Sequence, residues 1–523
     1  MNSGITMTEI PLLEMKDIHK TFDKSPALDG VSFSLKKGEI HGLLGGNGAG
    51  KTTLMNILFG LYKMDSGEIL LNGKKVTVQS PKDALTMKIG MVHQHFLQIQ
   101  NFTVLENIVL GTKIEKKYSM DLTSEAKKIK QIQDRFNLDI DVNQLVEALP
   151  MGTRQKVEIL KALYRGVEIL ILDEPTTNLT PQEVDDLFHS LEVMVKEGLS
   201  IVFITHKLRE VLSVCDRITV LRNGKTVTTL QKSEGSEEAF VRGMVGDEMD
   251  ISKSVIFSRS GDRQDTLAKN ADVLLGVKDL SVTSTNNIPL LKNIKFEIHI
   301  GEIFGVSGVA GNGQHELAEA IMGIIPATEG DIELGGKSIQ AEDTKTRLET
   351  GIAYIPEDRL HDGFLPKASI AHNLILGYHK TQPYASRGLI NWDVVHKNAQ
   401  QLIDTYNIKT SGPSDIGGNL SGGNIQRVLI ARAFSKPATL MVAHNPTRGL
   451  DIPSMDFIYT RMLEQKSTGM STLLISEDLD ELLLLCDRIA VIYRGEIVGI
   501  LNRSQFEKYQ IGRMMSGYKQ EEQ

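Results

Sequence analysis

Ile40-His41-Gly42-Leu43-Leu44-Gly45-Gly46-Asn47-Gly48-Ala49-Gly50-Lys51-Thr52-Thr53 joins a short apolar run to a glycine-rich loop, and TLMNILFGL (53–61) continues it at helical spacing. Gly45 to Thr52 fits GxxxxGK[ST], and the strand, loop and helix order is the context that pattern requires. Glycines let backbone N–H groups close around phosphate oxygens, and the helix N-terminus adds partial positive charge. Lys51 suits the β and γ phosphates and the Thr52 hydroxyl suits Mg²⁺. Some 120 residues on, EILILDEP (168–175) is an apolar run ending in two carboxylates. Asp173 suits the metal and Glu174 suits a general base that polarises water.

Working outward, the chain contains itself twice. Gly38-Glu39-Ile40 matches Gly301-Glu302-Ile303, an offset of 263, and SGEILLNGKKV (66–76) matches EGDIELGGKSI (329–339) at the same offset. ENIVLG (106–111) matches HNLILG (372–377) at 266, and ITHKLREVLSVCDRITVLRNGK (204–225) matches ISEDLDELLLLCDRIAVIYRGE (475–496) at 271. The second copy thus carries eight extra residues, three before Asn373 and five between there and Leu420, which places insertions in surface loops. Short apolar runs such as EIHGLLG, VEILILDEP and LSIVFITH alternate with longer helical patterns, the signature of a largely parallel sheet covered on both faces. Each half is therefore α/β. The polar stretch SRSGDRQDTLAKNAD (258–272) reads as the linker. The expected layout is a first domain over 11–255, a linker over 256–272, a second domain over 273–510 and a polar tail over 511–523.

Composition narrows the class. In 523 residues, 58 Lys and Arg oppose 66 Asp and Glu, a net charge of −8, with no basic run to follow a nucleic-acid backbone. With 41% hydrophobic and 24% charged residues, disordered and collagen-like classes are excluded. Cys215 and Cys486 occupy equivalent positions, which suits two small core residues in a reducing compartment rather than a disulfide. The start MNSGITMTEIPLLEMKD has no signal-peptide pattern, and ELLLLCDRIAVI (481–492) is too short and too charged for a membrane helix. A membrane role is expected only through a partner.

With both motifs and the repeat in place, the chain resembles the ATP-binding cassette of ABC transporters, twice over, from about residue 11 to 510. The resemblance implies two tandem P-loop ATPase domains, each with a RecA-like core, an antiparallel β part and a helical subdomain, using ATP and Mg²⁺. It assigns Gln94 in MVHQHF to the Q-loop, touching metal and attacking water, and His206 in VFITHKL to the switch histidine. Phe22 falls where the family stacks an aromatic on adenine, a position equally suited to packing. The implied ATP-binding set is Phe22, Gly45, Gly46, Asn47, Gly48, Ala49, Gly50, Lys51, Thr52 and Thr53, with the signature Ser421, Gly422 and Gly423. Thr52, Gln94 and Asp173 form the metal set, and Glu174, His206 and Gln94 the catalytic set.

The halves diverge at these positions. LSGGNIQR (420–427) is a good signature, but the first half reads LPMGTRQ (149–155), with Pro150 in the serine's place and no backbone donor there. In the second half Lys51 becomes Gln314, Thr52 becomes His315, Gln94 becomes Glu357, Asp173-Glu174 becomes His444-Asn445 and His206 becomes Glu477. Losing a charge-assisted contact costs on the order of 1 to 3 kcal/mol per position. In the family each site joins one cassette's phosphate loop to the other's signature, so the resemblance implies one good site and one poor one. The Walker motifs of the first half would work with Ser421 to Gly423.

Fused cassettes of this kind resemble importer ATPases, or else soluble cassette pairs acting on ribosomes, which keep both sites and a charged helical linker. The degraded second site and short polar linker point to the importer. Strings such as GMVHQHF (90–96), GVAGNGQHELAEAI (308–321), AYIPEDRLHDG (353–363) and AHNPTRGLD (443–451) resemble the nucleoside branch. His444-Asn445 favours that branch over sugar importers, which commonly retain Asp-Glu, while monosaccharide or flavin cargo stays open. The implied partners are two transmembrane permease subunits and, indirectly, an extracytoplasmic substrate-binding lipoprotein, with no nucleic acid. The implied place is the cytoplasmic face of the inner membrane, peripherally, through the surface beside Gln94 and Glu357 and segments 95–148 and 358–419.

Overall fold

The structure is a computed structural model that describes residues 10–22, 25–94, 96–112, 122–246, 253–257, 272–435 and 438–519. It divides into two compact units, Met1–Met249 and Asp250–Gln523. Each unit holds a six-stranded and a four-stranded sheet.

In the first unit the six strands run Lys225–Gln231, Arg217–Arg222, Ile40–Leu44, Ser200–Thr205, Ile169–Asp173 and Ile89–Val92 across the sheet. All pairings are parallel except that of the Lys225–Gln231 edge. Ile40–Leu44, Ile169–Asp173 and Ser200–Thr205 are buried at every residue, as continuous apolar runs require when helices cover both faces. The smaller sheet, Ser25–Leu35, Leu13–Phe22, Ser66–Leu71 and Lys74–Val76, is antiparallel throughout. Its buried side chains join Leu54, Met55 and Leu58 of the helix after the glycine loop in one core.

The second unit repeats both sheet orders. Its large sheet runs Glu496–Asn502, Arg488–Tyr493, Ile303–Ser307, Ser471–Ser476, Leu440–His444 and Ile352–Ile355. Of the extra residues, three are absorbed beside the π-helical turn Arg359–Gly363, four before helix Trp392–Thr405, where the hairpin Ala385–Ser386 and Leu389–Ile390 stands, and one after that helix. Left-handed Asn137 and Asn407 match at offset 270, while Leu145 and Ile416 match at 271. All three are connections between repeated elements, as the offsets predict.

The repeated tripeptide Cys-Asp-Arg explains how each large sheet is locked. A Cβ on Gly42 would lie 2.9 Å from Cys215 Sγ, and one on Gly305 would lie 2.7 Å from Cys486 Sγ, so each buried free thiol fills the space a glycine leaves in the central strand. Asp216 and Asp487 accept from the backbone N–H of Ile40 (2.9 Å) and Ile303 (2.8 Å). Arg217 and Arg488 pair with Glu39 (2.8 Å) and Glu302 (2.7 Å).

Two boundaries differ from the expected layout. Ser254 Oγ donates to Asp456 Oδ1 at 2.7 Å and the Ile256 N–H donates to the same oxygen at 3.1 Å, with Val255 and Ile256 packed on the second core. The second unit therefore begins before residue 255, because apolar Val255-Ile256 has a core to join; residues 258–271 of the expected linker lie outside the described residues. The stretch from 511 is not a polar tail either. Helix Lys508–Met515 buries Ile511, Met514 and Met515 and is the counterpart, at offset 271, of Glu237–Val245.

Candidate functional site

The glycine loop runs from the strand Ile40–Leu44 to the helix Lys51–Leu58 at the carboxyl end of the parallel strands. A Cβ on Gly45 would stand 2.4 Å from the Leu221 carbonyl oxygen, and Gly50 has φ 101°, so both must be glycine. Lys51 is 5% exposed; its Nζ donates to the carbonyls of Gly45 (2.8 Å) and Gly46 (3.0 Å). Burial lowers its pKa, against the carboxylates of Glu174 and Asp173. Asn47, Gly48 and Ala49 form the turn of the loop, and Thr53 follows Thr52 in the helix's first turn.

Asp173 ends the strand Ile169–Asp173, separated from Ile40–Leu44 by Ser200–Thr205, and Glu174 follows it in the left-handed region, φ 47°. Thr52 Oγ1 donates to Asp173 Oδ1 at 3.4 Å. Burial pushes Asp173 up to about 6, opposed by that hydrogen bond and raised further by Glu174. Glu174 Oε2 accepts from Gln94 Nε2 at 3.2 Å, and Oε1 faces His206 Nδ1 at 3.0 Å. Burial alone would raise the Glu174 pKa, but the His206 hydrogen bond and charge, with Lys51 and Lys207, outweigh it and hold the carboxyl below its usual value. The fold thus brings Lys51, Thr52, Gln94, Asp173, Glu174 and His206 together from three strand ends and one helix start. The oxygens of Thr52, Asp173 and Gln94 are a hard donor set that fits Mg²⁺. Phe22 stands apart: 40% exposed, it meets Tyr62 edge-on at 5.3 Å, with Lys20 Nζ also 5.3 Å from its ring centroid.

The sequence reading missed Glu210. It is buried behind the site, accepting from Thr176 Oγ1 (2.7 Å) and Thr205 Oγ1 (2.8 Å), and so ties the turn after Glu174 to the strand before His206. Its signal was present: Glu481 repeats it at offset 271, bound to Thr447 Oγ1 at 2.7 Å.

In the second unit, Ser421 precedes helix Gly422–Phe434 with φ −65° and ψ 157°, and its Oγ accepts from Asn424 Nδ2 at 2.9 Å. Pro150 holds the matching backbone, φ −58° and ψ 156°. The proline thus fits this turn without strain, and the change removes a hydroxyl rather than the fold. The second glycine loop is spanned by its own side chains: Gln314 Nε2 donates to the Val309 carbonyl (3.0 Å) and its Oε1 accepts from the Asn312 N–H (2.9 Å). Asn445 Oδ1 accepts from the Glu477 N–H at 3.0 Å. Glu357 Oε1 accepts from Arg448 Nη1 at 2.8 Å.

A family model described as ABC transporter matches residues 28–177 and again 291–448, covering both glycine loops and both carboxylate-strand positions. The chain belongs to the ABC transporter family. Its two matched segments are ABC ATPase domains. Among curated relatives it is 38% identical to the nucleoside import ATP-binding protein NupA of Lactococcus lactis over 98% of this chain and 99% of that protein. It is 39% identical to the guanosine import ATP-binding protein NupO of Bacillus subtilis over 98% of each. It is also 38% identical to the glucose import ATP-binding protein TsgD13 of Haloferax volcanii, over 98% of this chain and 96% of that one.

Proposed function

We propose that this chain is the ATP-hydrolysing subunit of an importer that takes up a nucleoside through membrane permeases, with chemistry confined to the first cassette. The observation that carries it is the Glu174 carboxylate, fixed by Gln94 and His206 beside Lys51 and Asp173, against an amide, Asn445, at the equivalent place.

Lys51 and the N–H groups of Gly46 to Thr52 hold the triphosphate, and Phe22 offers an exposed face for the adenine. Thr52, Asp173 and Gln94 would hold Mg²⁺, whose charge offsets that of the phosphates. Glu174, ionised at neutral pH, accepts the proton of the attacking water while Gln94 and His206 keep its two oxygens in place. Ser421, Gly422 and Gly423 supply the signature. No residue of the second copy offers a lysine, an aspartate or a glutamate at the Lys51, Asp173 and Glu174 positions.

Among the described residues no helix is long and apolar enough to cross a membrane, so permeases are the proposed membrane part. Exposed apolar side chains follow the glutamine in the first copy, Leu97 and Ile99, and its glutamate counterpart in the second, Leu360 and Leu365. These are the proposed contacts of two permease subunits, and an extracytoplasmic binding protein would deliver the cargo. The chain would then sit peripherally on the cytoplasmic face; recovery in the soluble fraction despite permease co-expression would contradict this. A nucleoside is the first reading from the NupA and NupO resemblances and the His444-Asn445 pair. A monosaccharide is the second, from the equal identity to the glucose relative. Reconstitution with the cognate permeases and receptor decides between them: a nucleoside, and not a sugar, should stimulate ATP hydrolysis.

A further inference from the structure

The three positions of the second cassette that correspond to Thr52, Gln94 and Asp173 are His315, Glu357 and His444. Their donor atoms all lie within 4.8 Å of one another. His315 Nδ1 and His444 Nε2 each stand 3.7 Å from Glu357 Oε2, which is beyond hydrogen-bond reach. His444 is 2% exposed and its Nδ1 has no hydrogen-bond partner, so a buried imidazole is held here without the polar contacts that normally offset its desolvation. That Nδ1 lies on the far edge of the ring; Nε2 is the nitrogen that faces Glu357 Oε2, and its convergence with the second imidazole and the carboxylate is what points to a ligand that bonds nitrogen.

We propose that His315, Glu357 and His444 bind one Zn²⁺ ion, converting an oxygen-donor Mg²⁺ position into a nitrogen-rich transition-metal site. Two imidazoles and one carboxylate are the donor set of zinc rather than magnesium, and a fourth position is left for water or an anion. Tetrahedral bonds of about 2.0 to 2.2 Å put donors about 3.3 to 3.6 Å apart, so the glutamate-histidine pairs need to close by only a few tenths of an ångström. Arg448 engages Glu357 through Oε1 at 2.8 Å, leaving Oε2 turned toward both histidines. Arg448 is a positioning residue for this site. The ion would join the end of strand Leu440–His444, the segment after strand Ile352–Ile355 and the first turn of helix Gln314–Met322. Those are the elements that a nucleotide and its metal would tie together in the first cassette.

The test uses the untagged full chain, freed of metal by chelator and titrated with Co²⁺, then Zn²⁺. One equivalent of Co²⁺ should develop the visible absorption of a four-coordinate site and be displaced by Zn²⁺. His315→Ala, a half-exposed position that leaves the fold intact, and His444→Asn should each weaken binding at least about 10-fold, while His315→Cys should retain it. Arg448→Ala should weaken it about 10- to 100-fold. Asp173→Asn, in the first cassette, should leave it unchanged. Absence of stoichiometric binding, a spectrum indifferent to both histidine substitutions, or one lost in Asp173→Asn would each overturn the proposal.

Discussion

Asn445 Nδ2 donates to Glu357 Oε1 across 3.3 Å, at the place where Gln94 Nε2 donates to Glu174 Oε2 across 3.2 Å in the first cassette. The hydrogen bond is kept with amide and carboxylate exchanged. Asn445 also keeps the left-handed backbone of Glu174, φ 47° in both. The second cassette thus preserves the architecture of the hydrolytic turn while moving its carboxylate to the opposite strand end.

This exchange predicts a coupling. Asn445→Glu sets a second carboxylate against Glu357 beside Glu477 and should destabilise the protein by about 1 to 3 kcal/mol. Adding Glu357→Gln should recover part of that loss, giving a nonzero interaction energy in a double-mutant cycle by denaturant unfolding. Neither variant should add ATP turnover, because Gln314 and His444 remain.

Lys51→Ala should greatly weaken ATP binding by removing the charge on the β and γ phosphates, while Gln314→Ala should matter little. Equilibrium binding with a fluorescent ATP analogue checks this. Equal losses in the two variants would move the nucleotide away from the first cassette.

How much of this the sequence carried depends on what each feature rests on. The glycine loop, the acidic strand end and the repeat are local or periodic patterns, so Lys51, Thr52, Asp173 and the paired α/β units were readable directly. Gln94 and His206 came from resemblance, since no local pattern links residues from separate strands to Glu174. Glu210 was hidden because a buried glutamate inside an amphipathic helix looks like an ordinary polar position until its two threonine donors are seen. Residues Val255 and Ile511 were assigned to the wrong side of a boundary, because a polar flank hid the fact that single apolar residues join a distant core. The convergence of His315, Glu357 and His444, with 129 positions between the first and the last, follows no local pattern and was legible only through the repeat, which maps them onto Thr52, Gln94 and Asp173.

Asp173 carries a stability cost that depends on pH. Its folded pKa, about 6, lies above its ordinary 3.8, so the folded state binds the proton more tightly than the unfolded chain. Stability from this group is therefore greatest at low pH and falls as pH rises from about 4 to above 6. Asp173→Asn should raise stability by roughly 1 to 3 kcal/mol at pH 8 and by progressively less toward pH 4, measured without nucleotide or metal. A constant difference across that range would contradict it.

Gly305→Ala should destabilise the second unit by about 1 to 3 kcal/mol, because its new methyl meets Cys486 Sγ at 2.7 Å in a fully buried strand. Pairing it with Cys486→Ala should relieve the clash and recover part of the loss, as read from the unfolding midpoint.

The central claim, that one cassette alone hydrolyses ATP, is tested most directly by the steady-state ATPase rate of Glu174→Gln beside Asn445→Ala in the reconstituted transporter. Removing the general base should lower turnover about 10²- to 10⁴-fold with ATP still bound, and Asn445→Ala should keep most of the wild-type rate. Substantial hydrolysis by Glu174→Gln, with a matching loss in Asn445→Ala, would contradict the account.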